Sequence, residues 1–302
     1  MKHLRLFEYV DAVVKAGSIR RAAESLYITP SALDRRIQQI EEELGTQIFE
    51  RHAKGMRLTA AGEIFLDYVR RHIADLDRVR SEIEGLKGLR QGHVSLVASQ
   101  ALAMDFLPHQ IRAFRQRHPG VSFTVRIADR GEALKTLMAF EAELAIVVFP
   151  KMSSEMLQLI MIAQPVIALM SNRHPLASRD SVRLSECLNY PLVLPDASLG
   201  VRELLEPMLV RRTNKAQITA ETNSFELMRG LLQDHQSIGF QIGISSTRAF
   251  EENTIVSLPI DRRDVPTVPL ICAQLRGRTL SVAAARFADQ LTHCLDEMDL
   301  AR

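Results

Sequence analysis

Cysteine is scarce in this chain: Cys187, Cys272 and Cys294 are the three in 302 residues. An odd number at such wide spacing excludes a disulfide framework, fits a reducing compartment, and offers no CxxC or Cys/His spacing for a metal. The thiols read as small packed hydrophobes. Long apolar runs are also missing. The most apolar segment, Leu157 to Met170, is broken by Gln164-Pro165 and is too short to cross a bilayer. At the N-terminus, Glu8 and Asp11 interrupt the apolar stretch that follows Lys2 and Arg5 before it reaches the length of an export signal. A cytoplasmic location without a membrane partner is expected. Neither sign of charge dominates. Thirty-eight Lys and Arg against 36 Asp and Glu leave a net charge of +2, which neither requires nor excludes nucleic acid, because a basic footprint can be local. Catalytic signatures are lacking too: there is no Gly-x-Ser-x-Gly elbow, no His-Glu-x-x-His helix and no phosphate loop. The segment from Gly239 to Gly243 lacks the third glycine of a dinucleotide loop. No catalytic residue, metal site or cofactor is expected, and the chain does not read as an enzyme.

What is present begins with the stretch from Ser18 to Arg57. Ile19, Ala22, Ala23 and Leu26 follow the i, i+3, i+4, i+7 spacing of an amphipathic helix, with Ser18 placed to cap it. A second helix starts where Thr29 is a good N-cap and Pro30 occupies the first helical position, whose N–H would be unpaired in any case. It should bury Leu33, Ile37, Ile40 and Leu44, turn Ser31, Asp34, Arg35 and Gln38 outward, and stop at Gly45. Arg51, Lys54 and Arg57 then surround Gly55 between Ile48-Phe49 and Leu58, the pattern of a two-stranded wing whose cations reach phosphate or a narrow minor groove. A support helix over Leu4 to Lys15, ended by Gly17, completes a three-helix unit with a wing, of the size of a small DNA-binding domain.

From Ala60 to about Leu89 the sequence is helix-compatible throughout. Val69, Leu76 and Ile83 lie seven apart, and Phe65, His72, Val79 and Leu86 fill the companion position, which predicts a two-helix seam. Self-association there would give two recognition helices for two half-sites of an inverted repeat.

Beyond Gly92 short strands alternate with helices. Strands are expected at Val94–Ser99, Val121–Ile127, Leu144–Phe149, Leu157–Ile162, Val166–Met170, Leu192–Leu194, Ile218–Thr222, Ile238–Ile242 and Val268–Gln274. Helices are expected at Phe106–Arg117, Glu132–Phe140, Val201–Arg211, Phe225–Gln233 and Leu280–Leu295. Such a series, with a late return of the chain, makes a two-lobed α/β architecture with a ligand cleft between the lobes. Residues at strand ends and helix starts facing that cleft are Ser99, Gln100, Asp129, Ser198, Thr222, Asn223 and Gln241. Hydroxyls and backbone amides at helix N-termini favour an anionic group such as a carboxylate. The same Ser and Thr residues can serve as N-caps, and Asp129 can be a turn residue or select a cationic or hydroxyl-bearing ligand.

Several of these residues carry a family resemblance. Ala22-Ala23, Leu26, Ser31-Ala32-Leu33, Arg35, Ile37, the run from Glu41 to Gly45, Phe49-Glu50-Arg51, Leu58-Thr59 and Ala61-Gly62 resemble the winged helix-turn-helix of the LysR-type transcriptional regulators. Phe106-Leu107-Pro108, His118-Pro119-Gly120-Val121, the run from Glu143 to Val147 and His174-Pro175-Leu176-Ala177 are similar to the effector domain of those regulators. The resemblance implies a multidomain α+β and α/β chain with an N-terminal winged helix-turn-helix, a linker helix, and an effector domain of the periplasmic-binding-protein (type 2) fold. On this division the DNA-binding domain is 1–59, the linker and dimerisation helix 60–89, and the effector domain 90–302, with lobe I over about 92–162 plus 268–302 and lobe II over about 163–267. It also implies double-stranded DNA and a small-molecule effector as partners, a homodimer or a tetramer built from two dimers, and contact with the transcription machinery. One position departs from the family: a small hydroxyl residue usually precedes the recognition-helix Arg, and here it is Asp34. A carboxylate there is repelled by phosphate yet could accept from the cytosine amino group, so it either reads a base or turns away. The competing reading is a small-molecule-binding or catalytic two-lobed protein whose N-terminal helices serve only assembly.

Overall fold

The computed structural model describes residues 2–52, 55–85, 91–148, 153–211, 217–246 and 254–300. They form two compact units, Met1–Ile83 and Glu84–Arg302.

The first unit contains α1 (Lys2–Ala16), α2 (Ile19–Ser25), α3 (Pro30–Leu44), the strands β1 (Phe49–His52) and β2 (Gly55–Leu58), and most of α4 (Ala60–Gly85). In its core Ala22 and Ala23 of α2 meet Leu33, Ile37 and Ile40 of α3 over Val10 and Val13 of α1. The helix ends follow local chemistry. The Thr29 hydroxyl accepts from Ala32 N–H at 3.3 Å, a cap that contributes about 1 kcal/mol, and α3 ends on Gly45 in the left-handed region at φ +67°. The wing pairs antiparallel, Phe49 opposite Leu58 and Glu50 opposite Arg57. The start of β2 rests on the turn between α1 and α2: Met56 N–H donates to the Gly17 carbonyl at 2.9 Å, and Gly55 sits so close that an added Cβ would lie 2.3 Å from that oxygen.

Two expectations change. Leu44 does not join the core but is exposed at the end of α3. Val69, the first member of the expected seam, is fully buried with Leu66 in the core of its own unit, because α4 is needed to close the open side of the three-helix packing. The stripe left on the surface of α4 is instead Ile64 and Tyr68, then Val79 and Ile83, with Ile64 77% and Ile83 53% exposed. Leu86 lies outside the described residues.

The second unit has two five-stranded mixed sheets. In chain order its elements are β3 (Gly92–Ala98), α5 (Phe106–Arg117), β4 (Val121–Ile127), α6 (Arg130–Met138), β5 (Leu144–Val148), β6 (Met156–Gln164), β7 (Val166–Ser171), α7 (Leu184–Cys187), β8 (Leu192–Pro195), α8 (Gly200–Arg211), β9 (Ile218–Thr222), α9 (Phe225–Leu231), β10 (Ile238–Ile242), β11 (Ile255–Pro259), β12 (Val268–Leu275) and α10 (Val282–Leu300). Lobe I is the sheet β4-β3-β5-β12-β6, and lobe II is β11-β7-β10-β8-β9. In each sheet three neighbouring strands run parallel, and the outer two join antiparallel. The chain passes between sheets at Gln164-Pro165-Val166 and returns before Val268, where proline interrupts a run that would otherwise continue as one strand. β5, β7 and β10 are buried along their whole length, which explains why they read as continuous apolar runs rather than alternating ones.

Candidate functional site

Two sites emerge, one in each unit. In the first, α3 winds at about 100° per residue, so Ser31, Arg35 and Gln38 share a stripe opposite Leu33, Ile37 and Ile40. All three are exposed, as is Pro30 at the start of the helix. Arg51 and Arg57 are exposed on the two wing strands. Lys54 lies outside the described residues. The wing is fixed to the helix at its base. One oxygen of the Glu41 carboxylate accepts from Ile48 N–H at 2.9 Å and Phe49 N–H at 3.0 Å.

Asp34 is turned toward the wing and is only partly exposed. Its Oδ1 accepts from Arg51 Nη2 at 2.6 Å, and its Oδ2 accepts from Gln38 Nε2 at 3.4 Å. Asp34 and Glu41 thus occupy the shoulder of α3 that faces the wing, and two carboxylates hold β1 to the helix. Beside α3, an apolar groove of 620 Å³ runs between α1 and α4, lined by Leu6, Phe7, Leu44, Ile64, Phe65 and Tyr68 among others. His72 packs on Tyr68 with ring centroids 3.9 Å apart.

In the second unit, Ser99, Gln100 and Asp129 from lobe I and Ser198 from lobe II line one small cavity. Ser99 and Gln100 lie just after β3, and Ser198 two residues before α8. The Ser99 Oγ accepts from Val148 N–H at 3.0 Å, which leaves its own O–H free to donate. Gln100 Oε1 accepts from Phe225 N–H at 3.3 Å, a hydrogen bond that joins lobe I to the N-terminus of α9. A second link is made by Arg229, whose Nη1 reaches the Met104 sulfur at 3.0 Å; its pKa is lowered by burial. With the lobes held this way the cavity measures about 30 Å³, room for one or two water molecules.

Capping accounts for some of the candidates. Asp129 Oδ1 accepts from Gly131 and Glu132 N–H, both at 2.8 Å, as the N-cap of α6. Ser198 donates its hydroxyl to Asp196 at 2.6 Å. Thr222 and Asn223 are not brought to the cavity: Thr222 is buried with its Oγ1 accepting from Ser224 N–H at 3.0 Å, and Asn223 is exposed. Gln241 is not in the lining either, although its neighbour Ile242 is. Its side chain is buried in β10, and neither amide atom has a hydrogen-bond partner.

The rest of the wall is apolar or backbone, chiefly Val148, Leu199, Gly200, Val201, Phe225 and Ile242 with two alanines. Nothing in their periodicity separates them from core residues. The one local signal is that Gly200 and Val201 open α8, where the first N–H groups have no intrahelical partner. Burial pushes the Cys187 and Cys272 thiols up to about 12, so both are inert packing groups at neutral pH. Among the described residues there is no cluster of three His, Cys, Asp or Glu able to hold a metal, and no helix is long and apolar enough to cross a membrane.

Comparison with known proteins finds two family models, one over each unit. Residues 4–63 match a family model described as a bacterial regulatory helix-turn-helix protein of the lysR family, and residues 87–295 match the LysR substrate binding domain. The HTH-type transcriptional activator CmpR of Synechocystis is 25% identical over 292 residues, covering 95% of this chain and 94% of its own. Among solved structures, full-length OxyR from Pseudomonas aeruginosa superposes with a TM-score of 0.71 at 20% identity, over 97% of this chain and 94% of that one. Full-length CbnR complexed with its target DNA gives 0.65 at 18% identity, over 97% and 99%.

Proposed function

This chain belongs to the LysR family of bacterial transcriptional regulators, and from that premise we propose how it divides the work. It is a ligand-responsive DNA-binding regulator, not an enzyme. Residues 1–59 read double-stranded DNA through Pro30, Ser31, Arg35 and Gln38, while Arg51, Lys54 and Arg57 hold phosphates or the minor groove. Residues 60–89 pair two copies, residues 90–302 sense the effector, and the chain works in the cytoplasm. The observation that carries the DNA reading is the stripe of Ser31, Arg35 and Gln38, exposed opposite a fully buried stripe and flanked by exposed wing arginines.

Pairing is supported by the apolar surface on α4 at Ile64, Tyr68, Val79 and Ile83, continued by the groove between α1 and α4. A dimer so formed presents two copies of α3, and two such dimers make a tetramer. The effector is a small anion, most simply a carboxylate. In support of this, the free Ser99 O–H and the first amides of α8 converge on one cavity, where the helix dipole favours negative charge. Because that cavity now holds only water-sized volume, binding has to separate the Gln100–Phe225 and Arg229–Met104 links, and it shifts the lobes by its preference for the opened form. Contact with the transcription machinery completes the scheme.

The test is selection of bound duplexes from random sequence by the full-length chain, followed by salt titration. Arg57→Ala should reduce the salt slope by about 0.9 on every sequence, and Arg35→Ala should also relax sequence preference. Failure of the wild type to enrich any sequence would overturn the reading in favour of the assembly-only role for the N-terminal helices.

A further inference from the structure

We propose that Asp34 is a positioning residue for sequence reading: it ties Arg51 of the wing to Gln38 of the reading helix and thereby orients Gln38 to prefer adenine. This rests on the reading of α3 and the wing as the DNA-contacting surface. Three observations carry it. Both carboxylate oxygens are already committed, Oδ1 to Arg51 at 2.6 Å and Oδ2 to Gln38 at 3.4 Å. The cluster stands on a rigid frame, because Glu41, two turns further along α3, fixes the backbone of β1 at Ile48 and Phe49. And the Asp34 side chain is 28% exposed against 64% for Arg51, so the guanidinium, not the carboxylate, is presented outward.

The geometry selects a base. With one Nε2 hydrogen of Gln38 donated to Asp34, the amide keeps its Oε1 acceptor and one N–H donor side by side. That pair matches the N6 amino group and N7 of adenine in the major groove, whereas guanine offers two acceptors there. Freed from Asp34, the amide rotates and either edge pattern is available to it. A carboxylate reading cytosine directly would present its oxygens to the groove, and here both oxygens are turned toward Arg51 and Gln38. The pair with Arg51 also carries no net charge, so Arg51 contributes less than one full phosphate contact until Asp34 is removed.

Random-duplex selection with the full-length wild type, Asp34→Ser and Gln38→Ala, joined to salt titrations with Arg51→Ala in both backgrounds, tests this. Expected is an adenine in each wild-type half-site whose preference, about tenfold, disappears in Asp34→Ser and in Gln38→Ala at the same base pair. Asp34→Ser should also steepen the salt slope, by at most about 0.9, and adding Arg51→Ala should abolish that gain. A selected sequence unchanged by Asp34→Ser overturns the proposal, as does a change at a base pair that Gln38→Ala leaves alone, which would make Asp34 a base contact. Equal effects of Arg51→Ala in both backgrounds would deny the tie. No enrichment by the wild type would instead sink the DNA-reading assignment itself.

Discussion

Replacing Gln241 by Leu should make the effector unit more stable. Gln241 is 1% exposed in β10, in register with Ile167 of β7, and both Nε2 and Oε1 are buried without a hydrogen-bond partner. A buried amide left unpaired costs about 1–3 kcal/mol. Leucine fills nearly the same volume without polar atoms, so most of that cost is recovered and little new strain is introduced. For a unit the size of residues 84–302, a gain of about 1–2 kcal/mol raises Tm by roughly 2–8 °C. Scanning calorimetry of the full chain, following the transition of the effector unit, reads this directly. A lower Tm for Gln241→Leu than for wild type would refute the reasoning, since it would mean that the amide is satisfied in the folded unit.

Three further outcomes follow from other parts of the molecule. Gly55→Ala should cost the N-terminal unit about 1–3 kcal/mol in urea denaturation, because φ is +129° and the new Cβ meets the Gly17 carbonyl; a cost under 0.5 kcal/mol would mean that the wing turn relaxes freely. Burial lowers the pKa of His174, an effect that the Gln236 carbonyl and the Asp234 carboxylate partly offset, and protonation at Nδ1 would also break the hydrogen bond donated by Leu176 N–H at 3.1 Å. The unfolded chain therefore binds a proton near pH 6.5 that the native one refuses, so stability should fall as pH drops below about 6.5. That dependence should shrink in His174→Gln; an equal pH dependence in both proteins would exclude His174 as its source. Finally, Ile83→Glu on the exposed stripe of α4 should convert dimers to monomers in sedimentation, and an unchanged mass would place the pairing surface elsewhere.

Much of this fold was legible in short-range pattern. The bounds of α5, β4, β9 and β10 follow from the sequence residue for residue, because each is a clean periodic or apolar run closed by Gly, Pro, Asn or Asp. α7 and β11 went unread: four helical residues span barely one turn, and β11 is specified by its pairing with β7, not by alternation. The polar half of the cavity between the lobes, Ser99, Gln100, Asp129 and Ser198, is legible as strand ends and helix starts. Its apolar half, Val148, Phe225 and Ile242, is not, since a residue facing a cavity and one facing the core carry the same side chain.

The sequence by itself determined the start and stop of α3 and that Ser31, Arg35 and Gln38 face away from the core formed by Leu33, Ile37 and Ile40. Caps, proline positions and hydrophobic period act over a few residues and need no distant partner. The tertiary structure alone decided that Val69 belongs to the core of its own unit and that Ile64 and Tyr68 join Val79 and Ile83 on the exposed face of α4. It also decided that Asp34 meets Arg51, 17 residues further along the chain. A carboxylate takes whichever cation packing brings within reach, and that distance is set only when the wing folds back on the helix.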